Sequence, residues 1–247
     1  MLSKYLPVFV ILAILSEILG TVGGFGSSVY FVPIANFFLD FQSVLGITAL
    51  FHLSSNVSKI ALFKKGFDKK IVLTLGIPAI LFVSVGAHFS KYLDPKMLTY
   101  FLGIFLISLS LLFLLFKQLR IKPKTGNAML GGSLSGLSAG LLGTGGAIRG
   151  ITLAAFKMDK EKFIATSAII DLGVDFSRTI VYYYNGYMHS HDLYLVPILI
   201  VVSVVGTWIG KKILNKISQE QFRKFVLFLI LGIGIASVIS NFLFNQF

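Results

Sequence analysis

The chain has 247 residues, of which 55% are hydrophobic, 14% aromatic and only 13% charged, about half the usual charged share. A mean hydropathy of +0.86 leaves too little polar surface to cover a water-soluble globule. The net charge of +12 would ordinarily point to nucleic acid, but the charges fall in short clusters between long apolar runs, which is a membrane pattern. With no Cys, disulfides, thiolate nucleophiles and Cys-ligated metals are excluded.

The first apolar stretch, residues 5–39, is too long for one crossing of a bilayer core of about 30 Å and too short for two crossings and a turn. It carries Gly20, Gly23, Gly24 and Gly26, and it predicts a hairpin of shortened helices meeting inside the membrane. Broken backbone at that depth needs protein or a water-filled cavity to satisfy it. Glu17 interrupts the run and no cleavage-site pattern follows, which argues against a signal peptide. Residues 43–63 have spanning length with internal charges, and 71–90 and 97–116 are uncharged spans. Residues 126–156 form a second glycine-rich stretch of awkward length, residues 162–184 a second charged span, and 193–210 and 225–247 two further uncharged spans.

Lys and Arg set the orientation. Most of the 22 lie in four clusters, around Lys64–Lys70, Lys117–Lys124, Lys157–Lys162 and Lys211–Lys224. Placing all four inside gives a consistent path. The first hairpin starts and ends outside, the second starts and ends inside, and both chain termini lie outside.

The halves also repeat. Gly20, Gly23 and Gly26 recur 120 positions later as Gly140, Gly143 and Gly146, Gly66 recurs as Gly186 and Gly86 as Gly206. The expected fold is therefore all-α: a polytopic membrane protein of two inverted repeats, each a glycine-broken helical hairpin plus three transmembrane helices. The repeats cover residues 1–117 and 126–247, and residues 118–125 form a basic cytoplasmic linker.

The span after each hairpin carries the rarest residues. Thr48, His52, Asn56 and Lys59 recur 119 positions later as Ser167, Asp171, Asp175 and Arg178, each set on one helical face. Ionisable residues within spans are costly and make functional candidates. The plainer readings are an i,i+3 pair between Asp175 and Arg178, and a snorkelling Lys59. At Gly23-Gly24-Phe25-Gly26-Ser27-Ser28 the chain can turn and start a helix, with Ser27 or Ser28 as cap, and Gly143-Thr144-Gly145-Gly146 does the same. Two helix N-termini with bare N–H groups, converging beside Lys59 and Arg178, would suit a small oxyanion. Close packing of helices by small residues explains other glycines, such as Gly132 and Gly136. The glycines do not form a nucleotide motif.

The two hairpins resemble the sulfite exporter TauE/SafE family, in Gly20-Thr21-Val22-Gly23-Gly24-Phe25-Gly26 through Val32-Pro33 and in Gly136-Leu137-Ser138-Ala139-Gly140-Leu141-Leu142-Gly143-Thr144-Gly145-Gly146. Length, duplication and loop pattern extend the likeness over nearly the whole chain. Where the family commonly has three glycines in a run, Ser27 and Ser28 follow Gly26 and Ala147 follows Gly146. The resemblance implies transport of sulfite, thiosulfate, organosulfonates or related oxyanions across a prokaryotic cytoplasmic membrane.

The expected site joins the two breaks with Asn56, Lys59, Arg149, Asp175 and Arg178, while Glu17, His52, Asp171 or Asp175 would carry a coupling proton. Arg149 would contact the anion or pair with Glu17. An anion channel, which needs the same positively lined pore, is the alternative. An intramembrane enzyme is disfavoured, because His52, His88, His189 and His191 come without HExxH, GxSxG or Cys. His189, His191 and Asp192 read as a solvated loop beside the aromatic belt of Tyr182, Tyr183, Tyr184 and Tyr187, so no metal is expected. No cofactor and no nucleic acid are expected; the partners are a small anion and the lipid bilayer. A homodimer stays open, since lipid-facing and dimer-facing surfaces look alike in sequence.

Overall fold

The computed structural model describes residues 2–115 and 121–214, with 216, 228, 231, 232, 234, 235, 238 and 239. Within them the chain is helical. The expected span 225–247, the basic residues Lys117, Arg120, Arg223 and Lys224, and the C-terminus lie wholly or largely outside the described residues.

The first half runs α1 (Leu2–Gly23), α2 (Ser28–Ala35), α3 (Phe41–Leu62), the short α4 (Lys69–Ile71), α5 (Ile77–Ser90) and α6 (Pro95–Leu115). The second runs α7 (Thr125–Leu142), α8 (Gly146–Ala154), α9 (Lys160–Tyr184) and α10 (Leu195–Leu214). Both glycine-rich stretches are helix–break–helix units. They differ from the expected pair of shortened helices, because α1 and α7 have 22 and 18 residues and only α2 and α8, with 8 and 9, are short. One arm of each unit thus has spanning length, about 27–33 Å, and the other turns back about half-way. Among the described residues, length and hydropathy mark four candidate membrane spans, Tyr5–Gly23, Lys69–Ser90, Pro95–Leu112 and Leu195–Leu214.

Local chemistry explains the boundaries. Gly24 and Gly26 adopt φ of +70° and +80°, and Gly143 +75°, a region that L side chains avoid, so the chain can reverse between helices. Asp40 caps α3, its carboxylate accepting from the Ser43 N–H at 2.9 Å and the Ser43 hydroxyl at 2.7 Å. Burial raises the Asp40 pKa, but those two donors and nearby His189 outweigh it and leave the carboxyl below its usual range. Between α4 and α5 the helix widens into a π turn over Val72–Gly76. Pro78, which has no N–H to give to the carbonyl four residues back, directly follows that turn.

The burial pattern is that of a protein in lipid. Leu73, Ile77, Leu81, Val85 and Phe89 form an exposed apolar stripe at intervals of four, whereas Glu17, Ser27, Ser55, Lys59, Arg149, Asp175 and Arg178 are buried. Arg178, 1% exposed, heads the largest fully buried side chains. Charges inside and apolar side chains outside are affordable only where the surroundings are hydrocarbon.

Packing fixes the centre. α1 lies against α10, α7 against α5, and α3 against α9. Small residues set the separations. Gly132, Gly136 and Gly140 of α7 meet the main-chain carbonyls of Leu75, Ala79 and Val83, and a Cβ on Gly206 would stand 2.7 Å from that of Glu17. Gly132 and Gly136 are thus packing residues, as the sequence indicates. Three basic clusters share one end of the bundle. Lys162 approaches Asp68 at 3.5 Å, Lys65 approaches Glu161 at 4.0 Å, and Lys211 donates to the Leu62 carbonyl at 2.6 Å.

Candidate functional site

The two breaks meet in the middle of the bundle. The Thr144 hydroxyl donates to the Ser28 hydroxyl at 3.3 Å, and Gly146 lies against the Phe25 carbonyl so closely that a Cβ would overlap it. Gly23 closes α1, Gly24 and Gly26 form the first turn, and Gly143 and Gly145 flank the second. The N-termini of α2 and α8 therefore face this junction. Ser27 stands at the α2 N-cap position but does not cap; its hydroxyl goes instead to Glu17.

Glu17, Lys59, Arg149, Asp171, Asp175 and Arg178 form three ion pairs around the junction. In the first, Lys59 Nζ lies 2.9 Å from Glu17 Oε1. Glu17 also accepts from the hydroxyls of Ser27 at 2.6 Å, Ser55 at 2.7 Å, Thr207 at 2.9 Å and Thr21 at 3.3 Å. Both its oxygens are taken, by groups from α1, α3, α10 and the first break. Lys59 points inward to this cluster rather than snorkelling to an interface, and donates also to Ser55 at 2.6 Å. In the second pair Arg149, in the first turns of α8, joins Asp171 of α9 and donates from Nε to Ser167 at 2.9 Å. Arg149 thus pairs with Asp171 and not with Glu17, the protein partner that the sequence offered.

The third pair is the i,i+3 contact read from the sequence. Arg178 donates to Asp175 Oδ1 from Nε at 2.8 Å and approaches it from Nη2 at 2.7 Å, while Nη1 donates to the Gly143 carbonyl at 2.8 Å. Arg178 is thus a C-cap for α7 as well as an ion-pair partner. Asn56 donates to Asp175 Oδ2 at 2.6 Å, joining α3 to α9.

His52 stands between the first and third pairs. Its Nε2 is 3.1 Å from the Ser27 hydroxyl and its Nδ1 3.9 Å from Asp175 Oδ2. A row of polar groups therefore runs from Asp175 past His52 and Ser27 to Glu17, hydrogen-bonded from His52 onward and with a 3.9 Å step between His52 and Asp175. Thr48, one turn before His52, has a buried hydroxyl without a hydrogen-bond partner.

A small cleft lies beside the path, lined by Gly20, Gly24, Gly26, Asn56, Lys59, Ser167 and Asp171 among others. Its volume of about 10 Å³ is room for one water and no more. The residues that sequence reasoning missed are Thr21, Ser55 and Thr207, all hydroxyl donors to Glu17, and the inward role of Tyr182, which donates to the Gly140 carbonyl at 2.8 Å; Ser167, already in the α9 stripe, accepts from Arg149. Tyr182, Tyr187 and Asp192 are buried, unlike exposed Tyr183 and Tyr184, so the loop after α9 is only partly the solvated segment expected.

The comparisons agree with this architecture. A family model described as sulfite exporter TauE/SafE matches residues 9–237. A protein of Methanocaldococcus jannaschii named probable membrane transporter protein is 27% identical over 256 residues, covering 92% of this chain and 93% of the relative. No solved structure matches. The family is one of transporters rather than enzymes, and a match across nearly the whole length makes the chain a TauE/SafE-family membrane transporter.

Proposed function

We propose that the protein is a secondary transporter for a small sulfur oxyanion, such as sulfite, thiosulfate or an organosulfonate, which binds where the two helix breaks meet. The observation that carries this reading is the junction itself: two helix N-termini face each other across Ser28 and Thr144, with Lys59, Arg149 and Arg178 around them. Each N-terminus carries about half a positive charge and unshared N–H groups, which favour an anion. The family's description supplies the sulfur oxyanion class.

The charge balance supports proton coupling. Three acids against three bases leave the centre neutral, so an anion alone would add an uncompensated charge to a dry site. A proton arriving with it, on His52, Asp171 or Asp175, restores neutrality, and on either aspartate it also frees the paired guanidinium to hold the substrate. The path from Asp175 through His52 to Ser27 offers the route.

Alternating access of two inverted repeats, 1–117 and 126–247 around the linker 118–125, would expose the site to each side. Its support is the packing: exchanging the halves turns the α1–α10 contact into α7–α5 and α3–α9 into itself. Gly66 and Gly186, at equivalent positions, share φ of +81° and +79°. The shared basic end is the cytoplasmic side on this reading, which puts both termini outside.

Flux into proteoliposomes tests the assignment. Sulfite, thiosulfate or a simple sulfonate should accumulate against its gradient when a pH gradient is imposed, which also excludes a channel. Absence of flux and of binding for all three would refute the substrate class. Accumulation unaffected by the pH gradient would refute proton coupling.

A further inference from the structure

The loop joining α9 to α10 gathers His189, His191 and Asp192, whose donor atoms all lie within 4.8 Å of one another. Its backbone is folded tightly, with the Asp192 N–H donating to the His189 carbonyl at 3.0 Å and the Leu195 N–H to the Asp192 carbonyl at 2.9 Å. Asp192 is 4% exposed, and its Oδ2 accepts no hydrogen bond. A buried carboxylate oxygen without a donor is costly. That oxygen faces the two imidazoles, 3.3 Å from His191 Nε2 and 4.0 Å from His189 Nδ1. The His rings stack in parallel at 5.3 Å between centroids. Beside them, the α3 cap supplies Ser43, 2.7 Å from His189 Nδ1, and Asp40, whose Oδ2 is 3.9 Å from the same nitrogen.

We propose that these residues form a divalent transition-metal site of the zinc class, with His189, His191 and Asp192 as ligands and the fourth position open to Asp40 or water. Two imidazoles and a carboxylate, with no thiolate, are a zinc-type donor set. Tetrahedral bonds of about 2.0–2.2 Å place ligand atoms a little over 3 Å apart, so the observed spacings need small side-chain rotations. The ion supplies the positive partner that Asp192 Oδ2 lacks. His189 then carries its hydrogen on Nε2, leaving Nδ1 free for the metal.

The position gives the site a consequence. Gly46 of α3 already abuts the Tyr187 carbonyl of the same loop, and with Asp40 as fourth ligand the ion would tie the start of α3 to the connection between α9 and α10. Those are the helices that carry His52, Asn56 and Lys59 on one side and Asp171, Asp175 and Arg178 on the other. A metal clamp at this end, opposite the basic clusters, would hold α3 and α9 together and slow exchange of the central site; this part rests on the transport reading above.

Zinc binding to the purified full-length protein in detergent, after treatment with a chelator, tests the site by calorimetry and by metal analysis after dialysis. One zinc per chain is expected. His191→Ala, a change at a largely exposed side chain, should weaken binding by about tenfold or more, as should Asp192→Asn, while His88→Ala should bind as the parent does. Cobalt(II) substituted at the site should give the visible spectrum of a four-coordinate nitrogen–oxygen complex, lost in His191→Ala. No zinc binding, or binding unchanged in His191→Ala, overturns the site. In proteoliposomes, zinc added to the side bearing the loop should slow flux in the parent but not in His191→Ala. Zinc-insensitive flux by a chain that binds zinc overturns the clamp, whereas no flux of any anion counts against the transport reading and leaves the binding result to decide the site.

Discussion

At the residue scale, the centre of the protein is a set of mutually dependent charges. Removing one partner of a buried ion pair leaves the other uncompensated, at a cost of about 3–5 kcal/mol. Lys59→Met should therefore destabilise the detergent-solubilised protein strongly, through stranded Glu17, and adding Glu17→Gln should restore most of the loss in thermal unfolding. Equal destabilisation by the single and double variants would show that the Lys59–Glu17 contact is not what holds this region. If Lys59 binds the anion, the restored double variant still lacks flux. His52→Gln should leave folding intact but flatten the pH dependence of uptake, because a glutamine can sit between Ser27 and Asp175 but cannot pass a proton between them. An unchanged pH profile of uptake would remove His52 from the proton route. The six charges were legible in the sequence because each is rare in apolar surroundings. Their pairing was legible only for Asp175 and Arg178, which share a helix face. Glu17 and Lys59 are 42 positions apart and meet only through packing. Of the hydroxyls around Glu17, Ser27 was marked by the glycine break, whereas Thr21, Ser55 and Thr207 gave no signal, since serines and threonines in apolar helices commonly bond the carbonyl four residues back, as Ser16, Ser58, Thr152 and Thr179 do here.

At the scale of elements, the glycines divide into two kinds that one sequence pattern cannot separate. Gly24, Gly26 and Gly143 supply a left-handed backbone at the breaks, while Gly132, Gly136 and Gly140 let α7 approach α5 to main-chain distance. Gly136→Val places a branched side chain against the Ala79 carbonyl and should lower stability by about 1–3 kcal/mol, the range for overpacking. Gly126→Ala, where an added Cβ meets nothing within 4 Å, is the matched control and should be neutral. Thermal unfolding in detergent compares the two; a neutral Gly136→Val would mean that the α5–α7 interface yields more easily than its close contacts indicate. The hairpins were foreseeable from length and glycine content. Their asymmetry was not, because apolar length alone does not tell how far into the membrane each arm runs. In the second hairpin Arg178 binds the end of the long arm, an anchor placed by tertiary contact rather than by local sequence.

At the scale of the molecule, the junction is closed. Ser28 and Thr144 are in contact and the adjoining cleft holds about one water, so the anion proposed to bind there could enter only after the two breaks move apart. The absence of native Cys makes this directly testable, since two introduced thiols would have no other partner. In the variant Ser28→Cys with Thr144→Cys, the sulfurs would replace hydroxyl oxygens 3.3 Å apart, close enough for small rotations to reach the S–S length of about 2.05 Å. Oxidation should join the two helix breaks within one chain, detected by mass spectrometry of the linked peptides. The crosslinked protein should lose flux and regain it on reduction, and each single Cys variant should be indifferent to oxidant. Full flux through a protein shown to be crosslinked would mean that substrate passes without parting the breaks, and would move the transport route away from the junction. Loss of flux only when the bond forms would instead make the separation of α2 from α8 a required step, linking the polar centre to the motion of the two halves around it.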